Sequence, residues 1–122
     1  MSTRGFVGVK IGDVIRAVYV HYDCYLAGVG KDLQAYTTVD EVDELISHGD
    51  RSTLDGDYYK DRGESGVNPI DYANFDEFFE ACEDSWGEYY YVFDNGIWHC
   101  GKTYEGSPLY RTLTPYEQAI KI

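Results

Sequence analysis

The sequence predicts a single α+β domain over residues 1–122, an antiparallel sheet built from two β-hairpins and packed with three or four short helices. Three observations predict it. Two tight-turn signals, Gly12-Asp13 and Asn95-Gly96, each sit between runs of β-branched and aromatic residues. Two capped stretches, 39–49 and 75–84, carry apolar residues at helical spacing. The chain has 122 residues, 43% hydrophobic and 16% aromatic, which suits one ordinary domain with a real core.

The elements follow in order. Residues 6–11 and 13–22 read as two strands joined by a tight turn. In the second, Val14, Arg16, Val18, Val20 and Tyr22 point one way, and Asp13, Ile15, Ala17, Tyr19 and His21 the other, so both faces are mixed and the first is the more apolar. Gly28 and Gly30 lead into a short helix over 31–36. Thr38 and Glu41 then fit a capping box, Val39, Val42, Leu45 and Ile46 fall at helical spacing, and Gly49 fits a left-handed stop.

Residues 50–74 show no sustained period and read as a long loop, with one short strand near Asp57-Tyr58-Tyr59; a loop of that length in a small domain points to function or disorder. Asn74 caps a second helix whose Phe75, Phe78, Phe79 and Cys82 form the apolar stripe. Strands 88–93 and 97–100 flank Asn95-Gly96, which supplies the positive φ angles of a type I′ turn. Thr114-Pro115 opens a terminal helix with Pro at its first position.

Charge is unevenly placed. Seventeen of the 22 Asp and Glu residues lie between Val39 and Asp94 against three bases there, a net −14; the other seven bases and five acids give +2. Like charges gathered within a Debye length of about 8 Å repel. Such a field opposes direct nucleic-acid binding. Cys24, Cys82 and Cys100 are odd in number and without a CxxC pair, so buried reduced thiols are expected rather than disulfides or a zinc ribbon. No apolar stretch approaches the roughly 18 residues of a membrane span. The expectation is a cytoplasmic protein with no membrane partner.

Chemical motifs are weak. His21 and Asp23 with His99 and Cys100 have residue types that zinc accepts, yet no conventional ligand spacing. A Cys24 or Cys100 nucleophile would need a His within about 3 Å and an oxyanion site, neither visible in sequence. Gly28-Val29-Gly30-Lys31 lacks the flanking glycine and the following Ser or Thr of a phosphate loop. Asp55-x-Asp57-x-Tyr59-x-Asp61 lacks the Gly and Glu of a calcium loop. No cofactor, metal or enzymatic activity is expected.

The start Met1-Ser2-Thr3-Arg4, the run Tyr19-Val20-His21-Tyr22-Asp23-Cys24-Tyr25 with Gly28-x-Gly30, Val42-Asp43-Glu44-Leu45-Ile46, Gly49-Asp50, Asp61-Arg62-Gly63-Glu64 and the closing hairpin 90–98 resemble a family of small acidic proteins of tailed phages and prophages. The chain departs from that pattern at Cys24, where the family has Gly, and at Leu26, where it has Pro. The resemblance implies a phage setting and no particular chemistry.

Together these readings predict an acidic inhibitor, resembling a DNA mimic, that acts in host takeover or anti-defence in the cytoplasm of an infected bacterium. Its partner would be a host protein with a basic surface: a nuclease, CRISPR effector, restriction enzyme or polymerase. Asp40, Glu41, Asp43, Glu44, Asp55, Asp57, Asp61, Asp76, Glu77, Glu80, Glu83 and Asp84 would supply charge, with Tyr58, Tyr59 and Trp86 as aromatic anchors. The alternatives are a small metal- or ligand-binding protein or enzyme using His21, Asp23 and His99, and a virion structural or assembly protein. A hairpin edge would also suit a homodimer.

Overall fold

The computed structural model describes residues 2–51, 53–54 and 68–122. Strand β1 (Gly5–Ile11) pairs antiparallel with β2 (Val14–Val20), Ile11 opposite Val14, through the expected two-residue turn in which Gly12 takes a φ of 63°. A wide turn over Leu26–Gly30 runs into α1 (Lys31–Leu33), a single turn shorter than the 31–36 expected. Helix α2 (Val39–Ser47) has the full capping box, and Gly49 follows it at φ 86°.

After these come β3 (Ile70–Tyr72), α3 (Phe75–Asp84) capped by the Asn74 side chain, and the hairpin of β4 (Tyr89–Asp94) and β5 (Ile97–Lys102). Asn95 and Gly96 both have positive φ, 55° and 76°, as a type I′ turn requires. Short β6 (Thr114–Pro115) and α4 (Tyr116–Ala119) close the chain. Pro115 is thus the last extended residue before the helix, with ψ 137°, rather than its first helical one.

The domain is α+β, but the sheet has six strands in the order β3-β2-β1-β4-β5-β6. The two expected hairpins are its centre, and they are joined side by side by a parallel pairing of β1 with β4, Gly5 opposite Tyr89 through Val9 opposite Phe93. The sheet is therefore mixed and larger than two hairpins. Strand β1 is buried from Gly5 to Val9 because strands flank it and helices cover both its faces, the usual setting of a parallel pair. The expected strand near Asp57 lies outside the described residues.

Alternation along the strands divides the core in two. Val7, Val9, Val18, Val20, Tyr91, Phe93 and Cys100 face α1, α2 and α4, which contribute Leu33, Val42, Leu45, Ile46 and Ala119. Phe6, Ile15, Ala17, Tyr90 and Val92 face α3, which contributes Phe78, Phe79 and Cys82. Both faces of β2 read as mixed in sequence because both are covered. The α3 side is an aromatic cluster: Phe78 meets Tyr90 edge-on at 5.7 Å and Phe6 at 5.9 Å. Such contacts fix the position of α3 along the sheet, and with it every carboxylate the helix carries.

Candidate functional site

Since α2 and α3 pack on opposite faces of the sheet, the two acidic helices present two surfaces rather than one array. On α2 the carboxylates have structural duties. Glu41 accepts from the backbone N–H of Thr37 at 3.0 Å and of Thr38 at 3.2 Å, and these bonds, the Thr37 N–H first and the Thr38 hydroxyl next, hold its carboxyl below the ordinary range. Asp43 meets Arg16 at 3.3 Å, and Arg16 also lies 3.7 Å from Asp71 on β3. Glu44 lies 3.3 Å from His48. Among the described residues only Asp40 on this helix has no recorded polar side-chain partner.

On α3 the balance is different. Asp76 pairs with Arg111 at 3.1 Å, and Arg111 is braced over the Phe79 ring at 4.7 Å. Glu77 is engaged with Asn74, its N–H donating to the cap oxygen at 2.9 Å and its carboxylate accepting from the cap amide at 3.4 Å. Glu80, Glu83 and Asp84 are exposed and carry no recorded ion pair or hydrogen bond through their side chains among the described residues. Five carboxylates on a ten-residue helix of about 15 Å give one charge per roughly 3 Å, against one per about 1.7 Å of duplex axis.

Trp86 lies just beyond this helix and is 78% exposed. Its φ is 64°, and the Gly87 N–H reaches back to the Cys82 carbonyl at 2.8 Å, closing the helix end in the manner usually reserved for glycine at the Trp86 position. A bulky residue there costs about 1 kcal/mol. Trp86 borders a groove of 590 Å³ whose other rim is Lys102, Thr103 and Tyr104. Asp55, Asp57, Tyr58, Tyr59 and Asp61 lie outside the described residues.

The residues of the alternative reading do not converge. His21, just past β2, meets the Tyr19 hydroxyl at 2.7 Å. His99 sits on β5, three strands away, or at least about 14 Å at 4.8 Å per strand. His99 faces the α3 side opposite Val92, with its Nδ1 buried and without a hydrogen-bond partner among the described residues, beside a 460 Å³ pocket that also includes Lys10 and Asn74. Cys100 faces the other way.

Cys24, Cys82 and Cys100 are all free and buried. Burial pushes the Cys82 and Cys100 thiols up to about 12 and raises that of Cys24, so all three are protonated near neutrality. Among the described residues no three His, Cys, Asp or Glu side chains are grouped to hold a metal ion, and no helix is long and apolar enough to cross a membrane.

The outer edge of β2 is covered in part by β3 and in part by Asp50 and Arg51. The Asp50 carboxylate accepts the Tyr19 N–H at 2.9 Å, while Arg51 donates its N–H to the Tyr19 carbonyl and accepts that of His21. That edge is occupied within the chain. The groove beside Trp86 had only one sequence signal, a Trp two residues past the end of an acidic helix; Tyr104 carried none. No protein-family model, curated protein sequence or solved structure matches this chain.

Proposed function

We propose that this protein is a phage-borne acidic inhibitor that occupies a basic, nucleic-acid-binding surface of a host protein such as a nuclease, CRISPR effector, restriction enzyme or polymerase. The observation that carries the reading is the state of α3: Glu80, Glu83 and Asp84 are held in fixed register by an aromatic core and, among the described residues, no cation pairs with them. A rigid row of carboxylates replaces phosphates without any reading of bases, and desolvating it against lysines and arginines releases counterions. The phage setting rests on the resemblance of the sequence.

The test is displacement. Labelled duplex DNA is bound to candidate host proteins and the chain is titrated in at about 50 mM and about 200 mM salt. Displacement that weakens steeply between the two supports the reading. Failure to displace DNA from any candidate at the lower salt, or displacement indifferent to salt, overturns it.

A second reading has one observation in its favour, the unpartnered His99 Nδ1 beside the pocket that includes Lys10 and Asn74. There a small anionic ligand would accept from Lys10 and Asn74, against the opposing charges of Asp13 and Asp94 on the same lining. Calorimetric titration with a panel of small carboxylates and phosphates, compared with His99→Phe, decides it. Equal heats from both proteins remove this reading.

A further inference from the structure

We infer that the groove between the end of α3 and the segment after β5 is the seat of an arginine side chain from a protein partner, an inference that rests on the acidic-interface reading and names its anchor. Two exposed aromatic rings border the groove, Trp86 at 78% and Tyr104 at 66%. Among the described residues no other Phe, Tyr or Trp is as exposed, and this pairing of a Trp with a Tyr at one groove is a surface suited to a flat apolar or cationic group.

The rims are rigid. The Thr103 N–H donates to the Glu88 carbonyl at 3.1 Å, and the Thr103 hydroxyl donates to the Gly87 carbonyl at 2.6 Å. A Cβ at Gly87 would lie 2.5 Å from the Cys82 sulfur, so the backbone runs against the helix end and leaves no room to shift. On the other rim the Tyr104 ring packs against Gly106, where a Cβ would come within 2.5 Å of the ring.

Charge selects the occupant. Glu83 and Glu88 border the groove, and Asp84 and Glu105 stand exposed beside them in sequence. Among the described residues the one cation on the lining, Lys102, has its ammonium 4.6 Å from the centre of the Tyr89 ring and is held there. A guanidinium stacks on an indole or phenol face and forks two N–H bonds to a carboxylate at its edge, which an ammonium cannot do as well. The glutamates at the groove margin supply that carboxylate. An anionic lipid surface is repelled by the same field.

The experiment uses the full chain and a dye-labelled deca-arginine peptide, followed by fluorescence anisotropy at about 50 mM salt. Trp86→Gly with Tyr104→Ala is expected to weaken binding about tenfold, and the wild type to bind deca-lysine more weakly than deca-arginine. Glycine suits the backbone at position 86, so the fold survives and circular dichroism checks it. Asp40→Lys, on the far face, changes the affinity less than twofold.

If the double variant binds as the wild type does while Lys at Glu80, Glu83 and Asp84 still weakens binding, the groove inference falls and the acidic interface stands. If the wild type does not bind the peptide at all, both fall. A change in sedimentation on mutation with unchanged peptide affinity assigns the groove to a second copy of the chain and overturns the inference.

Discussion

Helices α2 and α3 are nearly matched in sequence, with four carboxylates in nine residues and five in ten, each behind an N-cap and an apolar stripe. Their surroundings make them different. Around α2 the carboxylates close a capping box, meet Arg16 and contact His48, so they hold the helix and join it to the sheet. Around α3, among the described residues, one arginine, Arg111, meets one acid, and the last three carboxylates lead without an ion pair toward Trp86. A charge count cannot tell a helix that uses its acids from one that displays them. The positions of the cations can.

The largest expected effect tests whether the α3 platform depends on its aromatic core. Phe78 is fully buried, and Phe78→Ala should cost about 3–5 kcal/mol of unfolding free energy and abolish binding to basic partners. Ile46→Ala beneath α2 should cost about 2–4 kcal/mol while leaving partner affinity intact at temperatures where the fold holds. Chemical denaturation and peptide binding on both variants check this, and equal loss of binding would erase the distinction between the helices.

Charge reversal comes next. Glu80→Lys, Glu83→Lys and Asp84→Lys together should lower affinity for a basic partner by tens-fold, about 2 kcal/mol or more, and flatten its salt dependence. Asp40→Lys with Glu44→Lys should lower it only a few-fold. Comparable losses would mean that both faces bind.

A smaller effect has opposite signs in stability and binding. Trp86→Gly relieves a side chain from the left-handed region while giving up little buried surface, so the protein should gain about 0.5 kcal/mol of stability as it loses affinity. A drop in melting temperature would show that the indole supports the fold instead.

The smallest effect concerns the outer edge of β2, where Asp50 lies near Phe6 and Tyr72. Burial raises the Asp50 carboxyl, partly offset by the N–H it accepts from Tyr19. A raised acid favours the folded state while protonated, below its unfolded value near 3.9, and loses that contribution as pH climbs through the higher folded value. Asp50→Asn keeps an acceptor for Tyr19, so its melting temperature should overtake the wild type's from just above pH 4 toward neutrality and match it below. A constant offset across that range would remove Asp50 as the cause.

The hairpins, the two long helices and their caps were legible because each has a local signal: Thr38 with Glu41, Asn74, and Asn95-Gly96 act within a few residues of themselves. The edge strands were not, since β3 and β6 have three and two residues and exist only because β2 and β5 offer open edges. Nor was the opposition of the acidic helices, which depends on which strand parity each apolar stripe meets. That choice appears only once β1 and β4 lie together. The candidate site was legible as composition and as Trp86, but its second wall, Tyr104, arrives through the Thr103 hydrogen bonds to Gly87 and Glu88.

The parallel ladder between β1 and β4 also dictates when this molecule can fold. Gly5 cannot meet Tyr89 until most of the chain has been synthesised, and pairings so distant in sequence form slowly. During that interval the first hairpin has an open edge and a bare apolar face, while the acidic middle of the chain has already emerged. Mutual repulsion among its carboxylates then keeps nascent copies apart. The cost that like charges impose on the finished surface is thus offset earlier, when the same repulsion disfavours association of unfinished copies.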